Sequence, residues 1–184
     1  LIGADGKLLA VRGTDGGLFF SSKSAGRSTR ETWLRRSAVA EAEGYWPQRG
    51  TGAGGLLRCD ELGCLYRVNG HTVAIGRSAD ALLDDCRLAD VVISLVPLPG
   101  PCRSATTVGD RHDLRDLGAH ALWIDDDHVR IASTDGSRGH RPWVPPRAQT
   151  RGGNQRAAAG PIGTDAPDDD ADGTPADPEE KTDQ

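Results

Sequence analysis

Short apolar runs separated by turn residues fill most of this chain of 184 residues. The opening LIGADGKLLAVRGTDGGLFFSS carries Asp5-Gly6 and Asp15-Gly16, pairs that supply the positive φ angles of tight hairpins, so strands are predicted at Leu1–Gly3, Leu8–Arg12 and Leu18–Ser21. RSTRETWLRRSA changes to helical spacing. Ser28 or Thr29 is placed as N-cap, Glu31 or Thr32 falls in the first turn, and Trp33 with Leu34 forms the apolar side of a helix over Thr29–Ala38. The glycine-dense QRGTGAGG, Gln48–Gly55, resembles a phosphate-cradling loop only in composition. It lacks the Gly-Lys-Ser/Thr ending and a following helix, and reads as a flexible connection before a strand at Leu56–Cys59.

CLYRV and HTVAI flank Asn69-Gly70, the strongest hairpin signal in the chain. The pattern turns helical again at Ser78, which is placed to cap. Asp80 favours the helix start, and Ala81, Leu82, Leu83, Cys86 and Leu88 or Ala89 form the apolar face. VVIS follows as a buried strand. After the PLPGPC turn come a TTV strand, a short helix capped by Asp110 and stopped by Gly118, and a hairpin of AHALWI and HVRIAS over Asp125-Asp126-Asp127. Strands interleaved with short helices give an α/β body over residues 1–146. Beyond Pro146 the periodicity is lost, and residues 147–184 are expected to form a disordered acidic tail.

Composition narrows this picture. Aromatics are 4% of residues and glycine numbers 24, so the core is expected to be small and aliphatic. The chain opens on Leu1 and holds no methionine, so the expectation is a piece of something longer. No run of about 18 apolar residues occurs, and VVISLVPLP is broken by Pro97. The net charge of −5 is unevenly placed: residues 151–184 hold three of the 22 Lys+Arg and nine of the 27 Asp+Glu. The body is therefore near neutral and carries no overall electrostatic demand for nucleic acid, although clustered arginines can form a local basic strip.

Candidate chemistry is sparse. Cys59, Cys64, Cys86 and Cys102 contain no CxxC pair, which weighs against a zinc ribbon. Two disulfides in an oxidising compartment fit better, Cys59–Cys64 with Cys86–Cys102 being the simplest of three pairings, and four reduced buried thiols are the alternative. His112, His120 and His128 are evenly spaced but form no HxH, HxxxH or HExxH, and the acidic turn beside His128 reads as solvated. The serines stand in no GxSxG elbow. In RGHRPWVPP, Arg138, Arg141 and Trp143 combine phosphate-pairing and base-stacking groups, so a DNA contact is one reading; a tryptophan packed back on the core is the other.

HTVAIGRSADALLDDCRLADVVISL, CRSATTVGDRHDLRDLGAHALWIDDDHVRIAS and RGHRPWVPP, together with LIGADGKLLAVRGTDG and RCDELGC, resemble the C-terminal region of ComEC-type competence proteins of alphaproteobacteria, over Leu1–Pro146. The resemblance implies a shortened metallo-β-lactamase-like domain of mixed sheets and short helices, attached to a polytopic inner-membrane channel that takes up single-stranded DNA in natural transformation. It further implies a periplasmic position, with the missing transmembrane portion, single-stranded DNA and other competence machinery as partners and no small-molecule substrate. In active relatives the strand matching Thr72–Ile75 runs into a Thr-Gly-Asp whose carboxylate binds metal; here the letters are Ile75, Gly76 and Arg77. A His-His-Gly-Ser segment is matched by Leu95, Val96, Pro97 and Leu98, and no HxHxDH occurs. A cation in a ligand position repels a divalent ion, so the expectation is a domain without catalysis, metal or cofactor, in which Arg77 is a further candidate DNA contact and a salt bridge to Asp80 or Asp84 its simpler role. The competing expectation is a metal-dependent hydrolase with a rearranged site built from Asp125, Asp127 and the histidines.

Overall fold

The computed structural model describes residues 1–97, 102, 106–109 and 111–138. In chain order the elements are β1 (Ala10–Arg12), β2 (Leu18–Phe20), α1 (Arg27–Arg36), β3 (Gly44–Tyr45), β4 (Gly50–Gly52), a 3-10 turn (Ala53–Gly55), β5 (Leu57–Cys59), β6 (Gly63–Val68) and β7 (His71–Gly76). There follow α2 (Ala79–Leu88), β8 (Val91–Ser94), β9 (Thr106–Gly109), α3 (Arg111–Leu117), β10 (His120–Ile124), β11 (Val129–Ser133) and α4 (Thr134–Arg138). The class is mixed α/β, with several sheets and a few short helices.

Six strands form the central sheet in simple sequence order, β4 to β9. β4 to β7 run antiparallel as a meander, whereas β7, β8 and β9 are parallel. Parallel neighbours need a crossover, and α2 supplies it between β7 and β8. β7 and β8 are buried on both faces, which explains their unbroken apolar lettering. Val73, Ile75, Val91 and Ile93 join the main core, while Ala74 and Val92 point the other way onto Leu82 and Ala89 of the α2 side.

A second sheet, β1-β2-β3, lies across the main core from the central sheet. Its residues alternate in the same manner. Leu9, Val11 and Phe19 face the main core, and Ala10, Leu18 and Phe20 face Trp33 and Leu34 of α1. Phe20 and Trp33 stack with centroids 6.3 Å apart. The hairpin of β10 and β11 closes the main core with Leu122, Ile124, Val129 and Ile131. The layers thus run α1, small sheet, central sheet, α2.

Several expectations are corrected. No strand forms at Leu1–Gly3; Ile2 alone bridges to Leu9 and to His120, because its partners lie on two different chain segments. Helix α1 starts two residues before Thr29, and its N-cap is Gly26 at φ 58, with no side-chain cap. The Arg30 guanidinium, donating to the Ser22, Lys23 and Ala25 carbonyls at 2.8, 2.8 and 3.1 Å, holds the chain in a turn that only a residue tolerant of positive φ completes. Gln48–Gly55 is not a loose connection: Gly50–Gly52 pairs with Leu57–Cys59, and Ala53 is buried. On α2, Leu82 and Ala89 are buried but Leu83 and Leu88 stand 61% and 76% exposed, since one short helix on a sheet buries only one stripe. The Asp110 cap and the residues from 139 onward, including the expected tail, lie outside the described residues.

Candidate functional site

The end of β7 is where chain direction, packing and charge meet. Gly76 pairs with Gly63 on one side and Ser94 on the other. A Cβ on Gly76 would run into the Leu82 side chain, so glycine there lets α2 lie close on the sheet. Two backbone donors then grip the β5–β6 turn: the N–H groups of Arg77 and Ser78 both donate to the Leu62 carbonyl, at 2.8 and 3.2 Å. Ser78 caps α2 by accepting the Asp80 N–H at 3.3 Å, as the sequence implies.

Arg77 reaches back over β6. Its Nη2 donates to Cys64 Sγ at 3.4 Å. Among the described residues no ion pair joins it to Asp80 or Asp84, and Asp84 instead lies 3.7 Å from Arg87. Cys64 is disulfide-bonded to Cys59, its partner across the β5–β6 ladder, with Cα atoms 4.0 Å apart. The turn between them is held by Asp60, whose Oδ1 accepts the Leu62 and Gly63 N–H groups at 2.9 Å each. A cleft of about 630 Å³ opens here, lined by Gln48, Arg49, Asp60, Glu61 and Arg77. Arg49 is paired with Glu61. Asp85, nearby on α2, has its carboxyl pushed above the ordinary range by burial first and then by the charges of Asp60 and Asp84.

The other candidates are dispersed. Cys86 is disulfide-bonded to Cys102, tying α2 to the chain beyond β8. His120 is buried with Nδ1 2.9 Å from the Gly118 carbonyl, a core position between β10 and the end of α3. His128 sits 3.7 Å from Asp125 in an exposed turn. Among the described residues no group of three His, Cys, Asp or Glu side chains is arranged to hold a metal ion. Arg138 ends α4, and Arg141 and Trp143 lie outside the described residues. An apolar trough of about 990 Å³ separates the two sheets and the β10–β11 hairpin, lined by Val11, Trp46, Tyr66, Val73, Leu122 and Ile124 among others. Tyr66 spans it to donate to the Arg12 carbonyl at 3.0 Å, and burial raises the pKa of its phenol.

The contact between Arg77 and Cys64 is absent from the linear reading. The signal was nevertheless present: a two-residue turn at Asn69-Gly70 sets Gly63 opposite Gly76 and Cys64 opposite Ile75, which leaves Arg77 diagonal to Cys64. The class these features define is a mixed α/β domain with a cation, not a carboxylate, at the end of its central strand. No protein-family model, no curated protein and no solved structure matches the chain.

Proposed function

We propose that this chain is the non-catalytic C-terminal domain of a ComEC-type inner-membrane DNA-uptake channel, a shortened metallo-β-lactamase-like fold acting in natural transformation from the periplasmic side. Its partners in this reading are the transmembrane portion of the same protein, single-stranded DNA and other competence components. The element order supports it: hairpins first, then β7, α2, the parallel strands, α3 and the β10–β11 hairpin follow the order the sequence resemblance implies.

The observation that carries the reading is Arg77. It follows the end of β7, at the position where the sequence resemblance implies a metal-binding carboxylate in active relatives, and it presents a guanidinium cation instead. Such a group opposes binding of a divalent ion and therefore the formation of the metal-activated water that phosphodiester hydrolysis needs.

Metal analysis of the purified chain after incubation with zinc or manganese, together with a hydrolysis assay on single- and double-stranded DNA, tests this. Metal far below one ion per chain and no cleavage are expected. Near-stoichiometric metal with cleavage would replace the reading with a hydrolase using a rearranged site around Asp125, Asp127 and the histidines. Transformation frequency in a strain whose channel lacks residues 1–146 tests the biological half: a loss is expected, and unchanged DNA uptake would sink it.

A further inference from the structure

We propose that Cys59–Cys64 is a thiol–disulfide exchange site, opened by a dithiol reductant, in which Arg77 holds Cys64 as the departing thiolate. The inference does not depend on the channel reading. It rests on the pairing of the two cysteines, the guanidinium on one sulfur, and the cleft beside it.

The two cystines do different structural jobs. Cys59 and Cys64 already face each other in the β5–β6 ladder, in a turn that Asp60 closes through its side chain and through its own N–H, which donates to the Gly63 carbonyl at 2.9 Å. Opening that bond leaves the register held by backbone bonds. Cys86 and Cys102, 16 residues apart in sequence, instead join a helix to a separate segment, and the longer closed loop restrains the unfolded chain more.

Charge distinguishes the two sulfurs of the short bridge. Arg77 Nη2 lies 3.4 Å from Cys64 Sγ, and the Arg77 backbone is fixed by its bond to Leu62. A neighbouring cation lowers a thiol's pKa, and a thiol of lower pKa leaves faster in exchange. The acidic groups around this point are Asp60, Glu61, Asp84 and Asp85; Arg49 is engaged by Glu61, and Arg77 touches the sulfur directly. Both cysteines are buried, at 4% and 3% exposure, whereas Arg77, which touches Cys64 Sγ, is exposed and lines the cleft.

The step balances as follows. A thiolate of the reductant attacks Cys59 Sγ, forming a mixed disulfide, and the S–S electron pair leaves on Cys64 as a thiolate beside Arg77. The reductant's second thiolate attacks its own mixed-disulfide sulfur and expels Cys59, which takes a proton. The reductant is oxidised to a disulfide by two electrons, and the cystine is reduced to the Cys59 thiol and the Cys64 thiolate.

The test equilibrates the full chain with graded ratios of reduced to oxidised dithiothreitol, and reads each cystine by alkylation and peptide mass spectrometry. Cys59–Cys64 is expected to open at ratios that leave Cys86–Cys102 closed. Arg77→Gln should move its midpoint about tenfold toward the disulfide, and Arg77→Lys should restore most of the shift. In the reduced wild type, Cys64 should alkylate with iodoacetamide at a pH about one unit lower than Cys59 does, and Arg77→Gln should abolish that difference. Prior opening of Cys86–Cys102, an unmoved midpoint in Arg77→Gln, or coincident alkylation profiles in the wild type would each overturn the proposal.

Discussion

Asp90 and Thr72 clasp each other at the start of the parallel strands: Asp90 Oδ2 accepts the Thr72 N–H at 2.7 Å, and the Thr72 carbonyl accepts the Asp90 N–H at 2.9 Å. His71 Nδ1 stands 3.7 Å from the same carboxylate oxygen. The clasp sets where β8 begins against β7, and hence the Val73–Val91 register. Asp90→Ala leaves the Thr72 donor without this acceptor and is expected to cost about 1–2 kcal/mol in urea unfolding, with Asp90→Asn retaining part of the bond.

Gly76 and Leu82 form a packing pair across the β7–α2 junction. Gly76→Ala drives its Cβ into the Leu82 side chain and should cost about 1–3 kcal/mol as α2 lifts. Leu82→Ala, at a side chain only 1% exposed, should cost about 2–5 kcal/mol. The double variant is expected to be more stable than the two losses added together, because the smaller side chain admits the new methyl; a double-mutant cycle in urea measures that coupling.

Asp85 supplies a pH prediction. Burial, then Asp60 and Asp84, raise its pKa above the ordinary 3.8, so the folded chain holds its proton to higher pH than the unfolded chain does. Its contribution to stability therefore falls as pH rises through that window, and the deficit persists at neutral pH. Asp85→Asn should raise the melting temperature at neutral pH, with the gain vanishing once pH drops below the range in which an unfolded aspartate ionises. Thermal melts at several pH values check both halves.

Asn69 takes φ 52 in the β6–β7 turn, and its Nδ2 donates to the Ile124 carbonyl at 2.9 Å, linking that turn to the end of β10. Asn69→Ala loses both the tolerance for positive φ and the bond, and should cost about 1–2 kcal/mol. Asn69→Gly keeps the turn conformation and should lose less. Amide hydrogen exchange at Ile124 and its neighbours reports the lost link directly.

Much of the body was legible because its signals are local. Asn69-Gly70 fixes a hairpin through φ alone, Ser78 caps through one hydroxyl, and Gly118 ends α3 at φ 80, with its N–H donating to the Leu114 carbonyl at 2.9 Å. β4 was missed for the opposite reason. Gly50-Thr51-Gly52 has no side-chain alternation, and its strand geometry comes from the neighbouring Leu57–Cys59 edge. β3 likewise exists because Gly44 and Tyr45 pair in parallel with Phe19 and Phe20, across the intervening helix α1. At the candidate site, Gly76, Arg77 and Ser78 were visible as a strand-to-helix junction, but the aim of the Arg77 side chain was not, since it depends on which strand lies alongside.

The chain's lettering determined its turns, its helix caps and the apolar faces it must bury, because backbone dihedral preferences and side-chain periodicity act within a few residues. Only the assembled fold decided which segment each face meets: Ile2 against His120, Trp33 on Phe20, Leu82 on Gly76 and Arg77 on the Cys64 sulfur. Such partnerships join residues up to more than a hundred positions apart, and are selected by the burial and hydrogen bonding of all the layers together, a sum that no short stretch of sequence contains.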